Sequence, residues 1–136
     1  MIKILPLNKF RRLKEFSKVF KINEDTVIAY DGNIYANKIL YPDVLEHEKV
    51  HLKQQKEHGL LNFTDKYINN RAFRLQMEAE AYKVQLESID DLELREAVRK
   101  DIIIGLMSGL YGKMSKKEAE KLLPKEPKKL DVNKLV

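Results

Sequence analysis

The stretch Val44-Leu-Glu-His-Glu-Lys-Val-His-Leu-Lys-Gln-Gln-Lys-Glu-His-Gly59 decides how this chain is read. It opens behind Pro42, which suits the first turn of a helix, and closes on Gly59, which suits the left-handed residue that ends one. A helix over 43–58 is therefore expected. Within it, His47-Glu48-Lys49-Val50-His51 is an HExxH pattern. Residues four apart lie on one helix face about a turn apart, so both imidazoles can converge on one metal ion. Glu48 lies beside that face, where its carboxylate can reach an attacking water without ligating the metal.

Composition narrows what that ion can be. The 136 residues include no cysteine and three histidines. Disulfides, thiolate metal sites, iron–sulfur clusters and cysteine nucleophiles are all excluded, and a transition metal must be held by histidine and carboxylate. Zinc fits that donor set but needs a third protein ligand if a fourth position is to stay open. His58 is one residue too late for the arrangement in which a third histidine lies six residues after the second: Glu57 holds that position, and Gln54 stands where a turn-permitting glycine is required. A carboxylate from another helix is the remaining source. Residues 73–82 offer Glu78 and Glu80, about 200° apart on a helix. Glu78 shares a face with Leu75, Tyr82 and Leu86 and has Ala79 and Ala81 beside it, so a close helix–helix approach favours it. Glu80 is the alternative, with a surface pair to Lys83 as its plain role.

Working outward, residues 9–20 read as a helix, with Phe10, Leu13, Phe16, Val19 and Phe20 at helical spacing. Residues 26–30 and 33–36 flank Asp31-Gly32, a hairpin signal, and 38–40 could extend the sheet. Downstream, Thr64 with Asp65 reads as a helix start, the helix running to about residue 87 with a break near Asn69-Asn70. Ser88 with Asp91 begins another, reaching 108–111, and Ser115-Lys-Lys-Glu118 is a capping-box pattern for a short helix before Pro124. The expectation is a mostly helical α+β fold with a small sheet before the HExxH helix: one domain over 1–123, core 26–110, and a basic tail over 124–136.

The formal charge of +5 is uneven. Residues 1–22 carry seven bases and one acid, residues 111–136 eight bases and four acids, while the 88 residues between carry eleven bases and sixteen acids. The basic ends raise a nucleic-acid-binding reading, but no aromatic interleaving or nucleic-acid motif accompanies them, and solvated lysine faces explain them more simply. The longest apolar run, 102–110, is far short of the roughly 20 residues needed to cross a bilayer. The opening residues lack the order of a signal peptide. No membrane association and a cytoplasmic location are expected; the oligomeric state is not legible.

His47-Glu48-x-x-His51 followed by Glu78-Ala-Glu-Ala81 resembles the gluzincin branch of the zincin metallopeptidases, and its small minigluzincins in particular. The resemblance covers about residues 26–87, roughly half the chain. It implies a minimal zincin fold, a zinc ion held by His47, His51 and Glu78, and Glu48 as the base in hydrolysis of a peptide or protein substrate. The residue after Ala81 departs from the family, which often has Asp or Asn there to support a metal-bound histidine; here it is Tyr82. Tyr82 is expected either to replace that support or to contact the substrate oxyanion, and Tyr67 and Tyr111 are further oxyanion candidates. An extended substrate is expected to pair with 33–40. A catalytically silent zincin-like scaffold or binding protein is the alternative function.

Overall fold

The computed structural model describes residues 1–123. The proposed basic tail, 124–136, lies outside the described residues. The fold is α+β and mostly helical. In chain order it has β1 (Lys3–Leu5), a 3-10 turn (Leu7–Lys9), α1 (Leu13–Phe16), β2 (Val27–Tyr30), β3 (Asn33–Ala36), α2 (Pro42–His58), α3 (Leu60–Asn69), α4 (Arg71–Glu87), α5 (Leu92–Met107) and α6 (Lys116–Leu122).

The hairpin forms where Asp-Gly marks it. Asp31 and Gly32 both take positive φ, 48° and 82°, the sign a two-residue turn needs to match strand twist. Tyr30 pairs with Asn33 and Val27 with Ala36. β1 adds in parallel to β3, Ile4 opposite Ile34, so the sheet order is β1-β3-β2. β3 is thus the central strand and β2 an edge. Both faces are covered: Ile28 and Tyr30 meet an aromatic cluster with Phe10, Phe16, Phe63 and Tyr67, while Ala29 and Ile34 meet Leu52 of α2.

Two expectations near the start change. The helix expected over 9–20 shortens to α1, because Phe10, Phe16 and Phe20 turn their rings into the aromatic cluster and Arg12 is drawn to Tyr30 Oη at 2.8 Å. The basic N-terminal segment is therefore part of the core, not a free arm. Residues 38–40 form no strand; the chain leaves the sheet at Ala36 and turns toward α2.

α2 begins with Pro42 at its first position and ends at Gly59, with φ 82° and ψ 134°. α3 follows without a gap, so this one residue makes the bend. Thr64 is not a cap: it is buried inside α3, its hydroxyl donating to the Leu60 carbonyl at 2.7 Å. The break falls at Asn70, whose side chain accepts from the Phe73 N–H, and Arg74 donates to the Tyr67 carbonyl exposed by the end of α3. This α3–α4 turn lays α4 along α2, the most extensive helix pairing of the fold. Ser115 caps α6 as its sequence indicates, but α5 starts later than expected: Asp91, not Ser88, is its cap, and Ser88 closes α4 with its hydroxyl donating to the Gln85 carbonyl at 2.6 Å. No described helix is long and apolar enough to cross a membrane.

A Cβ at Gly59 would meet nothing within 4 Å, so a substitution there is governed by backbone conformation alone. Gly59→Ala should lower stability by about 1–3 kcal/mol, read as an earlier midpoint in thermal or denaturant unfolding; an unchanged midpoint would show that the bend is unstrained.

Candidate metal centre

α2 and α4 bring three donor atoms together. His47 Nε2 and His51 Nε2 are 3.1 Å apart, and each is 3.1 Å from Glu78 Oε1. All three residues are buried, Glu78 to 2% exposure. They form a group that could hold a metal ion, and the donor set is the nitrogen-and-oxygen set left open by a chain without cysteine. Donors at about 2.0–2.1 Å around a tetrahedral zinc lie about 3.4 Å from one another, so the observed triangle needs only tenths of an ångström to fit. Glu78 thus takes the place that spacing favoured for it. His58 packs against Phe73 instead, ring centroids 5.3 Å apart.

The neighbours hold each donor in a particular way. Tyr67 donates its hydroxyl to Glu78 Oε2 at 2.5 Å, which leaves Oε1 for the histidines. Gln54 accepts from His51 Nδ1 at 2.9 Å. Glu80 does not face the triangle; it accepts from Gln54 Nε2 at 2.9 Å. Tyr82 reaches His47 only as a ring contact, centroids 4.6 Å apart at 62°, and its hydroxyl faces that of Tyr111 at 3.3 Å. The hydrogen-bond support expected of Tyr82 is absent, and His47 Nδ1 is buried with no hydrogen-bond partner among the described residues.

Glu48 sits beside the triangle, its Oε1 4.0 Å from His47 Nε2 and outside the donor group. Burial raises its pKa above the ordinary carboxylate value, and the two histidines and the Ala29 backbone only partly oppose this. A carboxylate whose pKa is moved upward is suited to receive a proton near neutrality. Gln55, next to Gln54 but on the other side of the helix, donates to the Ala29 carbonyl at 2.8 Å and accepts from the Asp31 N–H at 2.9 Å. One side chain thereby ties the edge strand β2 to the helix of the HExxH motif.

These groups border a cavity of about 390 Å³ with walls from Phe16, Phe20, Val27, Val44, Ile102 and Tyr111. Two connections meet over it: the Lys21 N–H donates to the Leu110 carbonyl at 3.0 Å, and Lys21 Nζ to the Ser108 carbonyl at 2.9 Å. The strand facing the cavity is β2; of the segment 33–40 expected to pair with a substrate, Lys38 lines the cavity but β3 does not. β3 is bonded on both sides and has no free edge.

Gln54 had a local signal, its i,i+3 spacing from His51 on one helix. Tyr67 had none, because α3 carries it to Glu78 only through the bends at Gly59 and Asn70. No family model matches the chain, and no curated protein or solved structure matches it either.

Converging lone pairs call for a positive charge between them. Burial opposes charge on His51, but the Glu78 carboxylate outweighs it and lifts the His51 pKa to about 9. Glu78 is likewise opposed by burial, yet the two histidines hold it well below its ordinary range. The sign follows for the metal-free chain. The raised His51 value contributes stability that is complete below about pH 6.5 and lost as pH climbs through about 9. The lowered Glu78 value contributes stability present above about pH 4.5 and lost on acidification below it. A metal must displace the His51 proton. Titration calorimetry with zinc at pH 7, in buffers of different ionisation enthalpy, should therefore report release of about one proton, vanishing above pH 9.

Proposed function

We propose that this chain is a small zinc metallopeptidase of the gluzincin type, with His47, His51 and Glu78 as zinc ligands and Glu48 as general base. The observation that carries the reading is the buried triangle of donor atoms at 3.1 Å with a fourth carboxylate beside it, outside the ligand set and raised in pKa by burial. When bound, zinc supplies a Lewis acid that polarises a carbonyl and acidifies water.

The protein's own groups do the rest. Glu48 takes a proton from the attacking water as its oxygen bonds to the peptide carbonyl carbon, then delivers that proton to the nitrogen as the C–N bond breaks. The Tyr67 hydroxyl holds Glu78 to one ligating oxygen. Burial and Glu78 raise the Tyr67 pKa well above the ordinary phenol value, so it stays a donor. Tyr82 and Tyr111, kept protonated in the same way, line the cavity as donors for a developing oxyanion. The substrate is a peptide or protein segment in extended form. On an edge strand, alternate residues turn their backbone groups outward. At Ala29 Gln55 takes the carbonyl and Glu48 draws on the backbone; Val27, two residues earlier, faces the cavity and supplies the pairing position.

A second reading keeps the metal and drops the hydrolysis, leaving a silent or latent scaffold. The enclosure of the site favours it: the ligands and Glu48 are 2–7% exposed, under connections tied by Lys21.

One comparison separates the two. Glu48→Gln should bind zinc like the parent and lose cleavage of an unfolded protein substrate by about 100-fold or more, while chelation abolishes the parent's activity. A zinc-loaded parent that cleaves nothing selects the scaffold. A variant that cleaves as fast as the parent refutes the role given to Glu48.

A further inference from the structure

We propose that Gln54 and Glu80 form a positioning pair that fixes which nitrogen of His51 carries hydrogen, and so holds its Nε2 bare toward the metal. The inference rests on the metal-site reading above and adds two residues to it.

Gln54 lies three residues after His51 on α2 and is 2% exposed. Its side-chain amide has two N–H groups and one oxygen, and each has a defined neighbour. Nε2 is 3.0 Å from the Met77 carbonyl and 2.9 Å from Glu80 Oε2, both acceptors. Turning the amide over would set its oxygen against two other oxygens in a buried place, so the hydrogen-bond network fixes its direction. The oxygen must then face His51 Nδ1, at 2.9 Å. An acceptor there requires hydrogen on Nδ1. A neutral imidazole carries only one, so Nε2 is left with its lone pair, the form a metal needs. Glu80, the carboxylate that faces away from the triangle, thus bears on the site through Gln54.

His47 has no such partner among the described residues. Its Nδ1 is buried without a hydrogen bond, and its ring is held by the edge contact with Tyr82. His51 is therefore the anchored ligand and His47 the adjustable one. Without Gln54, both rings are free to place hydrogen on Nε2 and bond directly to Glu78 Oε1, closing the triangle against an ion.

The test uses the full chain and zinc alone. Zinc affinity is measured by competition with a chromophoric chelator, and the hydrogen position on His51 by nitrogen-15 NMR of the metal-free protein. In the parent, read at alkaline pH where His51 is neutral, the ring should carry its hydrogen on Nδ1. Gln54→Leu should mix the two forms and weaken zinc binding about 10–100-fold. Glu80→Ala, at an exposed position, should shift the same signal and weaken binding by a smaller factor; it carries the test if Gln54→Leu does not fold. A parent that binds no zinc defeats the metal-site reading itself. A parent that binds, with variants that match it in affinity and in the His51 signal, overturns the positioning pair alone.

Discussion

The contact between α2 and α4 is built around a carboxylate and two imidazoles that are 2–7% exposed. Charge removed from water is costly unless it is paired and hydrogen-bonded. At Glu78 that demand is met by the histidines at Oε1 and Tyr67 at Oε2, and at His51 by Gln54 on its far side. Each partner comes from a different place in the chain, so the elements must sit where they do for the triangle to exist. The bends at Gly59 and Asn70 bring Tyr67 and Glu78 around to α2, and Gln55 binds the strand edge to the same helix.

Adjacent residues on α2 have divided the work by face. His47, His51 and Gln54 turn toward α4, while Glu48 and Gln55 turn toward β2. Helical geometry sends consecutive residues about 100° apart, so one rod carries the donor group on one side and Glu48 with the contacts to β2 on another. Under the proposed reading, Glu48 is close enough to the donors to act on the same water and far enough to stay out of the ligand set. In the proposed reaction that separation is what distinguishes a general base from a ligand.

The enclosure of the site has two consequences. Burial weakens solvent screening, which strengthens each electrostatic contact, and it raises the Glu48 pKa. It also leaves the Lys21–Leu110 connection as part of the cavity wall. The basic N-terminus belongs to this closure. Its aromatic residues fill the core, and Lys21 is spent on backbone carbonyls.

Most of the helical fold could be read locally, because its signals are local: Pro42 and Gly59 bound α2, Asp31-Gly32 makes the hairpin, and Ser115 caps α6. The HExxH spacing and the absence of cysteine likewise determined the pair of histidines and the need for a carboxylate. What local signals could not carry was long-range. β1 is three residues long and exists only because β3 offers it an edge. Thr64 has the chemistry of a cap, yet packing buried it within α3, and Tyr82 has the chemistry of a hydrogen-bond support, yet its hydroxyl found Tyr111. The choice of β2 over β3 as the exposed strand, and of Tyr67 and Gln54 as the groups holding the donors, was decided only in the tertiary structure. The physical reason is that a hydrogen bond is chosen by distance in space, and the folded chain sets the distances between residues its sequence keeps far apart.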